Sequence, residues 1–381
     1  MKRTSQNLIL LGGSLLIGIV LCELLLRLLN PLFGALYPTY DFRQFVFSPN
    51  STYTFRFIPG TVPGVEGPAE MRTNAWGIRG DEIPANSYRI LALGGSTTLC
   101  VVLDQEETWT HLIQAELNTT SPVRTWVGNV GIDGSKLFDA YHQIRDMVPA
   151  LPRIDTIVLL HGFNDLQYRL IYIDDYAEKL DFLRKKIAPS RDQTPEFLRL
   201  RTMKLLSGYL RYSRNAGMRE YADFYQKMRL KRQNAALIKR TDPPIADALR
   251  FYEETLRLII DETRRQKIRL VLLTQPGLYR NDLNARERGL LWMGAEGDVM
   301  RRDHSGIYYS APVLARALER YNALTLEICR TENIECIDLA GRLPKTTEIF
   351  YDDLHFTEAG SRQVARIVSD ALKERPPYQR P

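Results

Sequence analysis

The 381 residues of this chain can bury one large hydrophobic core or two modest ones. Hydrophobic and charged fractions of 44% and 25% are those of an ordinary globular protein. The four cysteines form no Cys-x-x-Cys pair and no cluster with histidine, which excludes a zinc site of the usual spacing. Cys329 and Cys336 can pair if the domain is exported, but we expect isolated buried thiols.

The chain begins with a long apolar segment. After Lys2 and Arg3, apolar residues dominate residues 8–29, and about 20 such residues are enough for a helix to cross a bilayer. The short core and small-residue cleavage site of a signal peptide are not evident. The preceding positive charges favour a cytoplasmic N-terminus. We therefore predict a single-pass inner-membrane anchor over residues 1–30, with the body of the protein on the periplasmic or extracytoplasmic side. The alternative is a buried helix of a soluble protein, but such helices rarely lack a polar face for so long.

Residues 31–87 form the next segment, which is rich in Pro, Gly, Tyr and Phe and has little helical periodicity. We interpret this segment as an extended lead-in with short strands. The turn-rich stretch Asn74–Gly80 within it is expected to pack beside a sheet.

From residue 88 onwards, short apolar runs typical of buried strands alternate with amphipathic helical stretches. Strands are predicted over Tyr88–Leu93, Val123–Asn129, Asp155–Leu160, Ile268–Thr274 and Ile334–Asp338. Helices are predicted over Glu106–Asn118, Lys136–Met147, Ile245–Gln266, Pro312–Thr331 and Glu358–Lys373. This alternation indicates an α/β domain over residues 88–376, with a parallel sheet covered on both faces. Right-handed crossovers make it a doubly wound fold of three layers.

Two insertions interrupt the alternation. The basic insertion, residues 181–242, is helical in character and carries 16 Lys and Arg against 6 Asp and Glu. A solvated face is the ordinary explanation, and a cap lying against anionic lipid headgroups or an acidic polymer is the alternative. The segment lacks the interleaved aromatics and glycines of RNA-binding proteins, so we expect no nucleic-acid partner. The second insertion, residues 279–309, contains Trp292 and Met293 and is expected to form one wall of the active-site mouth.

The first predicted strand of the sheet ends in the turn Gly94-Gly95, and Ser96 follows at once. Two glycines suit such a turn because only glycine adopts positive φ freely. A strand, a glycine turn and a serine are the arrangement by which an α/β sheet presents a nucleophile at the carboxyl ends of its strands. The alternative is that Ser96 only caps a tight turn.

A serine hydroxyl is a poor nucleophile until a base takes its proton, and His355 is a candidate base. It follows the last predicted strand, so its loop is expected at the same edge of the sheet as Ser96. Asp352 precedes it by three residues, and this spacing can bring the carboxylate to Nδ1 of the imidazole. Taken alone, Asp-x-x-His is a common coincidence, and the alternative is that Asp352 and Asp353 decorate a surface loop. Thr357 is expected to cap the final helix.

Two further loops offer hydrogen-bond donors for an oxyanion. Gly134 follows the second strand of the sheet and can present its backbone N–H, and Asn164 follows the third and carries a side-chain amide. Glycine and asparagine are also ordinary loop residues, so turn chemistry is the alternative. We expect His161 to be a hydrogen-bonded structural residue, and Lys136 and Asp139 to begin a helix.

Together, these four loops resemble the sequence blocks of the SGNH (GDSL-type) hydrolase superfamily, in a membrane-anchored bacterial branch. The blocks are Gly94–Thr97, Asn129–Gly134, Gly162–Asp165 and Asp352–His355, in that order. The resemblance spans roughly Asn74 to Lys373, which is most of the chain after the predicted anchor. It implies a flavodoxin-like α/β/α sandwich and no metal or organic cofactor.

For the site, the resemblance implies a Ser-His-Asp triad and two oxyanion donors. The matching positions are Ser96, His355 and Asp352 for the triad, with Gly134 and Asn164 as donors. One departure is clear, because the family usually has Asp before the serine and this chain has Gly95.

The leading hypothesis is a membrane-anchored serine esterase that acts on an ester-bearing small molecule, glycan or lipid outside the cytoplasmic membrane. An O-acetyl group of an envelope glycan is one candidate. The same residues make an O-acyltransferase if a sugar hydroxyl replaces water. The third hypothesis is a non-catalytic module that holds an acidic polymer at the membrane. Nucleotide binding at Gly94-Gly95 is disfavoured because the glycine spacing of phosphate-binding loops is absent.

Overall fold

The computed structural model describes residues 2–33, 45–58, 60–64, 67–187, 219–220, 223–301 and 304–379. The chain divides into two compact units, one made of Met1–Asp41 with Lys186–Gly217 and the other of Phe42–Lys185 with Met218–Pro381. The predicted anchor belongs to the first unit, and every predicted site residue belongs to the second. Much of the basic insertion lies outside the described residues.

The described strands and helices are labelled in chain order. The strands are β1 Thr52–Arg56, β2 Ala69–Arg72, β3 Tyr88–Gly94, β4 Thr125–Asn129, β5 Thr156–Leu160, β6 Arg219–Glu220, β7 Leu237–Lys239, β8 Arg269–Leu273, β9 Ile307–Tyr309 and β10 Glu335–Ile337. The helices are α1 Lys2–Phe33, α2 Ser96–Leu99, α3 Trp109–Thr120, α4 Leu137–His142, α5 Phe163–Ile171, α6 Tyr176–Ile187, α7 Phe224–Gln233, α8 Ala246–Gln266, α9 Ala285–Leu290, α10 Ala311–Glu332, α11 Leu339–Arg342 and α12 Glu358–Lys373.

A five-stranded parallel sheet forms the centre of the second unit, in the order β10-β8-β5-β3-β4. Counted as the chain enters the sheet, this order is 2-1-3-4-5, that of the flavodoxin-like doubly wound fold. All residues of β4 and β5 are buried, as expected when helices cover both faces. The predicted α/β class and the five predicted strands are therefore confirmed.

The helices form the two outer layers. The step from β3 to β4 runs in the opposite direction to the later steps, so right-handed crossovers place α3 on one face and α4, α8 and α10 on the other. The contacts agree, because α3 packs on α12 while α8 packs on α4 and α10. The chain order reverses at β3, and the crevice beside β3 is therefore where this fold binds ligands.

The lead-in packs on this unit as short strands, as the sequence predicts. β1 and β2 pair antiparallel, with Tyr53 opposite Met71. Arg79, in the turn-rich stretch, exchanges backbone hydrogen bonds of 3.1 and 2.9 Å with Asn129 at the end of β4. This pairing attaches the lead-in to the edge of the central sheet.

The predicted transmembrane segment, residues 8–29, lies within the continuous helix α1. Among the residues that the structure describes, however, no helix combines the length and the apolar character needed to cross a membrane. The transmembrane part of the fold prediction is therefore not supported.

The cysteines differ from the sequence expectation, because Cys329 and Cys336 form a disulfide and are not isolated thiols. After Cys329 the chain leaves α10 through Asn333, whose left-handed backbone turns it directly into β10. This tight return brings the two Cα atoms to 6.0 Å, a normal separation for a disulfide.

Candidate active site

The predicted nucleophile lies where β3 ends. Neither Gly94 nor Gly95 has a positive φ, so the prediction that the turn needs glycine for its backbone conformation is wrong. A Cβ atom on Gly94 would lie 2.7 Å from the carbonyl oxygen of Leu160, and one on Gly95 would collide with the side-chain amide of Asn164. Close approach of neighbouring loops, rather than backbone conformation, therefore requires glycine at both positions.

Ser96 is the first residue of the short helix α2. The amides of Thr98 and Leu99 donate to the carbonyl oxygen of Gly95 at 3.0 Å, so the helical turn begins directly at the serine. The side chain is half-buried. The turn fixes Ser96 at the carboxyl edge of the sheet.

His355 and Asp352 meet Ser96 at this edge. The Nε2 atom of His355 is 2.7 Å from Oγ of Ser96, and its Nδ1 atom is 2.8 and 2.9 Å from the two carboxylate oxygens of Asp352. The amides of Leu354 and His355 both donate to Oδ1 of Asp352 at 2.9 Å. The structure thus joins the three residues in one hydrogen-bonded chain.

The adjacent carboxylate, Asp353, has a different role. Its oxygens accept hydrogen bonds from the hydroxyl of Tyr279 at 2.8 Å and from the amide of Trp292 at 2.7 Å. The indole Nε1 of Trp292 also donates to Asp352 at 2.9 Å. Both aspartates are fully buried, so neither decorates a surface loop. The second insertion therefore contacts the triad loop directly. The sequence predicted only that this insertion forms one wall of the active-site mouth.

Electrostatics distinguish the groups of this loop. Burial alone would lower the pKa of His355, but the charge and hydrogen bond of Asp352 outweigh it and raise that pKa above its ordinary value of 6.5. Burial alone would raise the pKa of Asp352, but the attraction of His355 and the hydrogen bonds it receives lower that pKa. Burial and repulsion from Asp352 raise the pKa of Asp353. Asp352 is therefore the carboxylate that stays ionised beside the imidazole.

The imidazole of His355 is also held from its face. The ring of Tyr351 stacks on it at a centroid distance of 5.5 Å and an interplanar angle of 12°. The hydroxyl of Tyr351 lies 3.1 Å from that of Tyr225, on α7. Thr357 then caps α12, as predicted, by accepting the amide of Gly360 at 3.0 Å. Packing and hydrogen bonds therefore fix the orientation of the ring.

The two loops with candidate oxyanion donors contact each other. Asn164 donates from Nδ2 to the carbonyl oxygen of Ser135 at 2.8 Å, which leaves its second amide hydrogen free for another acceptor. Gly134 has a φ of +70°, and among the described residues its N–H has no hydrogen-bond partner. Lys136 and Asp139 begin α4 as predicted, with the amide of Lys136 donating to Asp139 at 2.9 Å.

His161 lies beside a small cavity of about 10 Å³ that Ser96 and Asn164 also line. Its ring is buried, and neither nitrogen has a hydrogen-bond partner among the described residues, so the expected hydrogen-bonded state is wrong. Burial lowers the pKa of His161 to about 4. The ring is therefore neutral at pH 7.

Sequence reasoning missed Arg79, whose buried guanidinium binds the segment that follows α2. It donates to the carbonyl oxygens of Leu99, Cys100 and Leu103 and to the side chain of Gln105, the last three at 2.8 to 3.0 Å. An arginine in a turn-rich stretch gives no sequence signal for such a role. Within the described part of the chain, no group of three or more His, Cys, Asp or Glu residues is arranged to hold a metal ion.

The four loops lie within residues 92–363, which match the GDSL-like lipase/acylhydrolase family. The chain belongs to this family. The predicted superfamily resemblance is therefore confirmed, and so is a hydrolase that acts on ester bonds. Where the first block of GDSL-type proteins usually has Asp, this member has Gly95, and the space that a side chain would need is occupied by Asn164.

Solved structures similar to this GDSL-family chain have low sequence identity. They include a lipase/acylhydrolase from Enterococcus faecalis (14% identity, TM-score 0.41, covering 77% of this chain and 100% of that chain). They also include the acetylxylan esterase Axe2 from Geobacillus stearothermophilus (15% identity, TM-score 0.39, covering 77% of this chain and 95% of that chain). A third is LAE5, an alpha/beta hydrolase enzyme from the metagenome of Lake Arreo, Spain (14% identity, TM-score 0.40, covering 76% of this chain and 95% of that chain). Comparison with curated proteins gives no match.

Proposed function

We propose that this protein is a serine esterase with Ser96 as nucleophile, His355 as general base and Asp352 as the residue that orients and stabilises the imidazole. The observation that carries the proposal is the hydrogen-bonded chain from Ser96 Oγ through both ring nitrogens of His355 to Asp352. This arrangement has the geometry that activates a serine hydroxyl.

The reaction has two halves. His355 takes the proton of Ser96 as Oγ attacks the ester carbonyl, and then gives it to the leaving alcohol as the tetrahedral intermediate collapses. Water, deprotonated by the same imidazole, then attacks the acyl carbonyl. As the bond to Ser96 Oγ breaks, the imidazole returns the proton to Oγ and the acid leaves. The oxyanion accepts hydrogen bonds from the backbone of Gly134 and the side chain of Asn164, where each donor contributes about 10²- to 10³-fold in turnover.

The acyl group is short. The cavity beside Ser96 has a volume of about 10 Å³, which is about the space that one water molecule needs. A methyl group is of similar size, so this cavity supports an acetyl group as the acyl part of the substrate. We therefore propose an O-acetyl ester as substrate, carried by a glycan or a lipid headgroup.

We place the hydrolase domain at residues 88–376, behind a lead-in at 31–87 and an inner-membrane anchor at 1–30. What supports attachment is the described part of α1, where large apolar side chains such as Leu10, Leu16 and Leu24 are more than half exposed. The Cys329–Cys336 disulfide supports an extracytoplasmic hydrolase domain, because disulfides persist in oxidising compartments. Retention of the full chain in carbonate-washed membranes, and release of a variant that lacks residues 1–30, tests this part.

The catalytic proposal is tested with p-nitrophenyl esters of two, four and eight carbons. Wild-type protein should hydrolyse the acetate fastest, and Ser96→Ala should lose all measurable turnover with an unchanged thermal midpoint. Retained turnover in Ser96→Ala would exclude Ser96 as the nucleophile. An acetyl-enzyme that turns over only when a glycan acceptor is added would instead identify an O-acyltransferase.

A further inference from the structure

A groove of about 500 Å³ lies where the two insertions meet. Cavities of this size accommodate small-molecule ligands and cofactors. Among the described residues, the groove is lined by no aspartate or glutamate and by four arginines, two from each insertion. These are Arg232 and Arg240 from the basic insertion, and Arg280 and Arg288 from the second insertion.

Arg232 is the buried member of this set, with 8% of its surface exposed. Its guanidinium donates to the carbonyl oxygens of Met293 and Tyr309, the second at 2.6 Å, and bonds no carboxylate of the described residues. Its charge acts on Asp353 in the triad loop. Two hydrogen bonds to carbonyl oxygens hold this guanidinium in one orientation without neutralising its charge.

The other three arginines differ in their partners. Arg280 is neutralised, because it binds both oxygens of Glu287 at 2.7 Å and also contacts Asp282. Arg240 and Arg288 are exposed and form no ion pair within the described part of the chain. Arg288 has one described partner, the carbonyl oxygen of Leu283. Two guanidiniums are thus available to an incoming anion.

The N-terminus of α10 lies at the same groove, which Ser310, Ala311 and Pro312 also line. Ser310 is the N-cap of this 22-residue helix, but its side chain makes no capping hydrogen bond. The first turn of a helix carries a partial positive charge. The partial charge at the N-terminus of α10 therefore has the same sign as the charge of the arginines.

The second insertion connects the groove to the triad loop. Leu291 lines the groove, and the following residue, Trp292, donates from its side chain to Asp352 and from its backbone to Asp353. At the start of the second insertion, Arg280 lines the groove, and the preceding residue, Tyr279, donates to Asp353. Two residues that line the groove, Arg280 and Leu291, are therefore next in sequence to residues that hydrogen-bond the triad loop.

We infer that this groove binds the carboxylate groups of an acidic oligosaccharide, and that the substrate of the proposed esterase is an acetylated glycan of that class. Only the second part of this inference, the class of substrate, rests on the proposed function. Arginine binds carboxylates through a planar pair of donors, and the side chain of Ile238, which is 41% exposed, provides apolar contact area for a sugar ring. A planar bilayer surface would not contact Arg232, which lines the groove and is only 8% exposed.

Binding is tested by titration calorimetry of the full chain with tetragalacturonate and with neutral xylotetraose. Wild type should bind the acidic tetramer and not the neutral one, with an affinity that falls as salt is added. Arg240→Ala/Arg288→Ala should bind about 10-fold or more weakly. Arg366→Ala, which removes an exposed arginine on α12, is the matched control and should bind as wild type does.

Three binding results would overturn the inference. They are equal affinity of the double variant and wild type, equal affinity for the acidic and neutral tetramers, and binding of inorganic phosphate or of anionic phosphatidylglycerol vesicles without binding of tetragalacturonate. The unacetylated tetramer needs no catalysis, so Ser96→Ala should bind it like wild type. Binding therefore stands or fails independently of the proposed reaction.

Kinetics test the substrate class. We compare kcat/KM for acetylated oligogalacturonate with that for acetylated xylooligosaccharide, each divided by kcat/KM for p-nitrophenyl acetate so that changes at the triad cancel. Wild type should prefer the acidic substrate about 10-fold or more, and the double variant should lose this preference through a higher KM. Hydrolysis of p-nitrophenyl acetate without an acidic preference would overturn the inference and leave the esterase proposal intact.

Discussion

The Nε2 atom of His355 lies 2.7 Å from the Oγ atom of Ser96, although the two residues are 259 positions apart in the chain. Their contact follows from the topology, because Ser96 directly follows β3, the strand at which the sheet reverses order, and His355 occupies the loop before the final helix. Asp352 completes the chain of hydrogen bonds from the same loop. The predictions below follow from this arrangement.

Removing the imidazole should cost more than removing the charge that orients it. His355→Ala should lower kcat on p-nitrophenyl acetate about 10- to 100-fold further than Asp352→Asn, because the asparagine variant keeps a base that is only misoriented. Thermal midpoints serve as the folding control. The reverse order would mean that another group orients the ring. Asp353 is poorly placed for that, since its oxygens face Tyr279 and Trp292.

The pH dependence should report His355. The imidazole must be neutral to accept the proton of Ser96, and its pKa is raised above 6.5 despite burial, by the charge of Asp352. kcat/KM should therefore rise with pH through a midpoint above 6.5. Asp352→Asn removes the charge that raises this pKa, so the midpoint should move to lower pH. A wild-type midpoint at or below 6.5 would contradict this assignment.

The two glycines before the nucleophile should respond differently to alanine. In Gly95→Ala, the new methyl group displaces the end of the Asn164 side chain, so kcat should fall about 100-fold with little loss of stability. In Gly94→Ala, the methyl group meets the backbone oxygen of Leu160 at 2.7 Å, so the free energy of unfolding should fall. Paired kinetics and urea unfolding separate the two effects. Full activity in Gly95→Ala would argue against Asn164 as an oxyanion donor.

Arg79 should be a strong contributor to stability. Its guanidinium serves four buried acceptors between Leu99 and Gln105. In Arg79→Met, the carbonyl oxygens of Leu99 and Leu103 would have no other donor among the described residues, while that of Cys100 and the side-chain oxygen of Gln105 would keep one weaker or local partner each. The free energy of unfolding should fall by about 3 kcal/mol or more. Arg366→Ala, on the surface of α12, should change it by no more than about 0.5 kcal/mol. A loss in Arg79→Met as small as in this control would show that water replaces the guanidinium without cost.

Local patterns predicted the parts of the molecule that short-range physics controls. Apolar runs located all five strands of the sheet to within two residues at most ends, because strands buried on both faces need continuous hydrophobic residues. The meeting of Ser96 with His355 followed from the rule that the carboxyl ends of parallel strands share one edge. The caps at Lys136 and Thr357 depend on neighbouring residues only, and both were predicted correctly.

Contacts between distant segments were not predictable in the same way. The donation from Trp292 to Asp352 joins an irregular insertion to a loop 60 residues away, and no periodicity marks such a contact. The glycines at 94 and 95 were assigned the wrong cause, because part of the crowding around them comes from Leu160 and Asn164, which are distant in the chain. The Cys329–Cys336 disulfide depends on the sharp return at Asn333, which composition does not show.

Reaction with a fluorophosphonate, followed by peptide mass spectrometry, tests the central claim most directly. The hydrogen-bonded chain predicts one adduct per protein, on Ser96, that forms in wild type and disappears when the protein is first denatured or when His355 is replaced by alanine. An adduct on a different residue, or no adduct on folded wild-type protein, would contradict the assignment of Ser96 as an activated nucleophile.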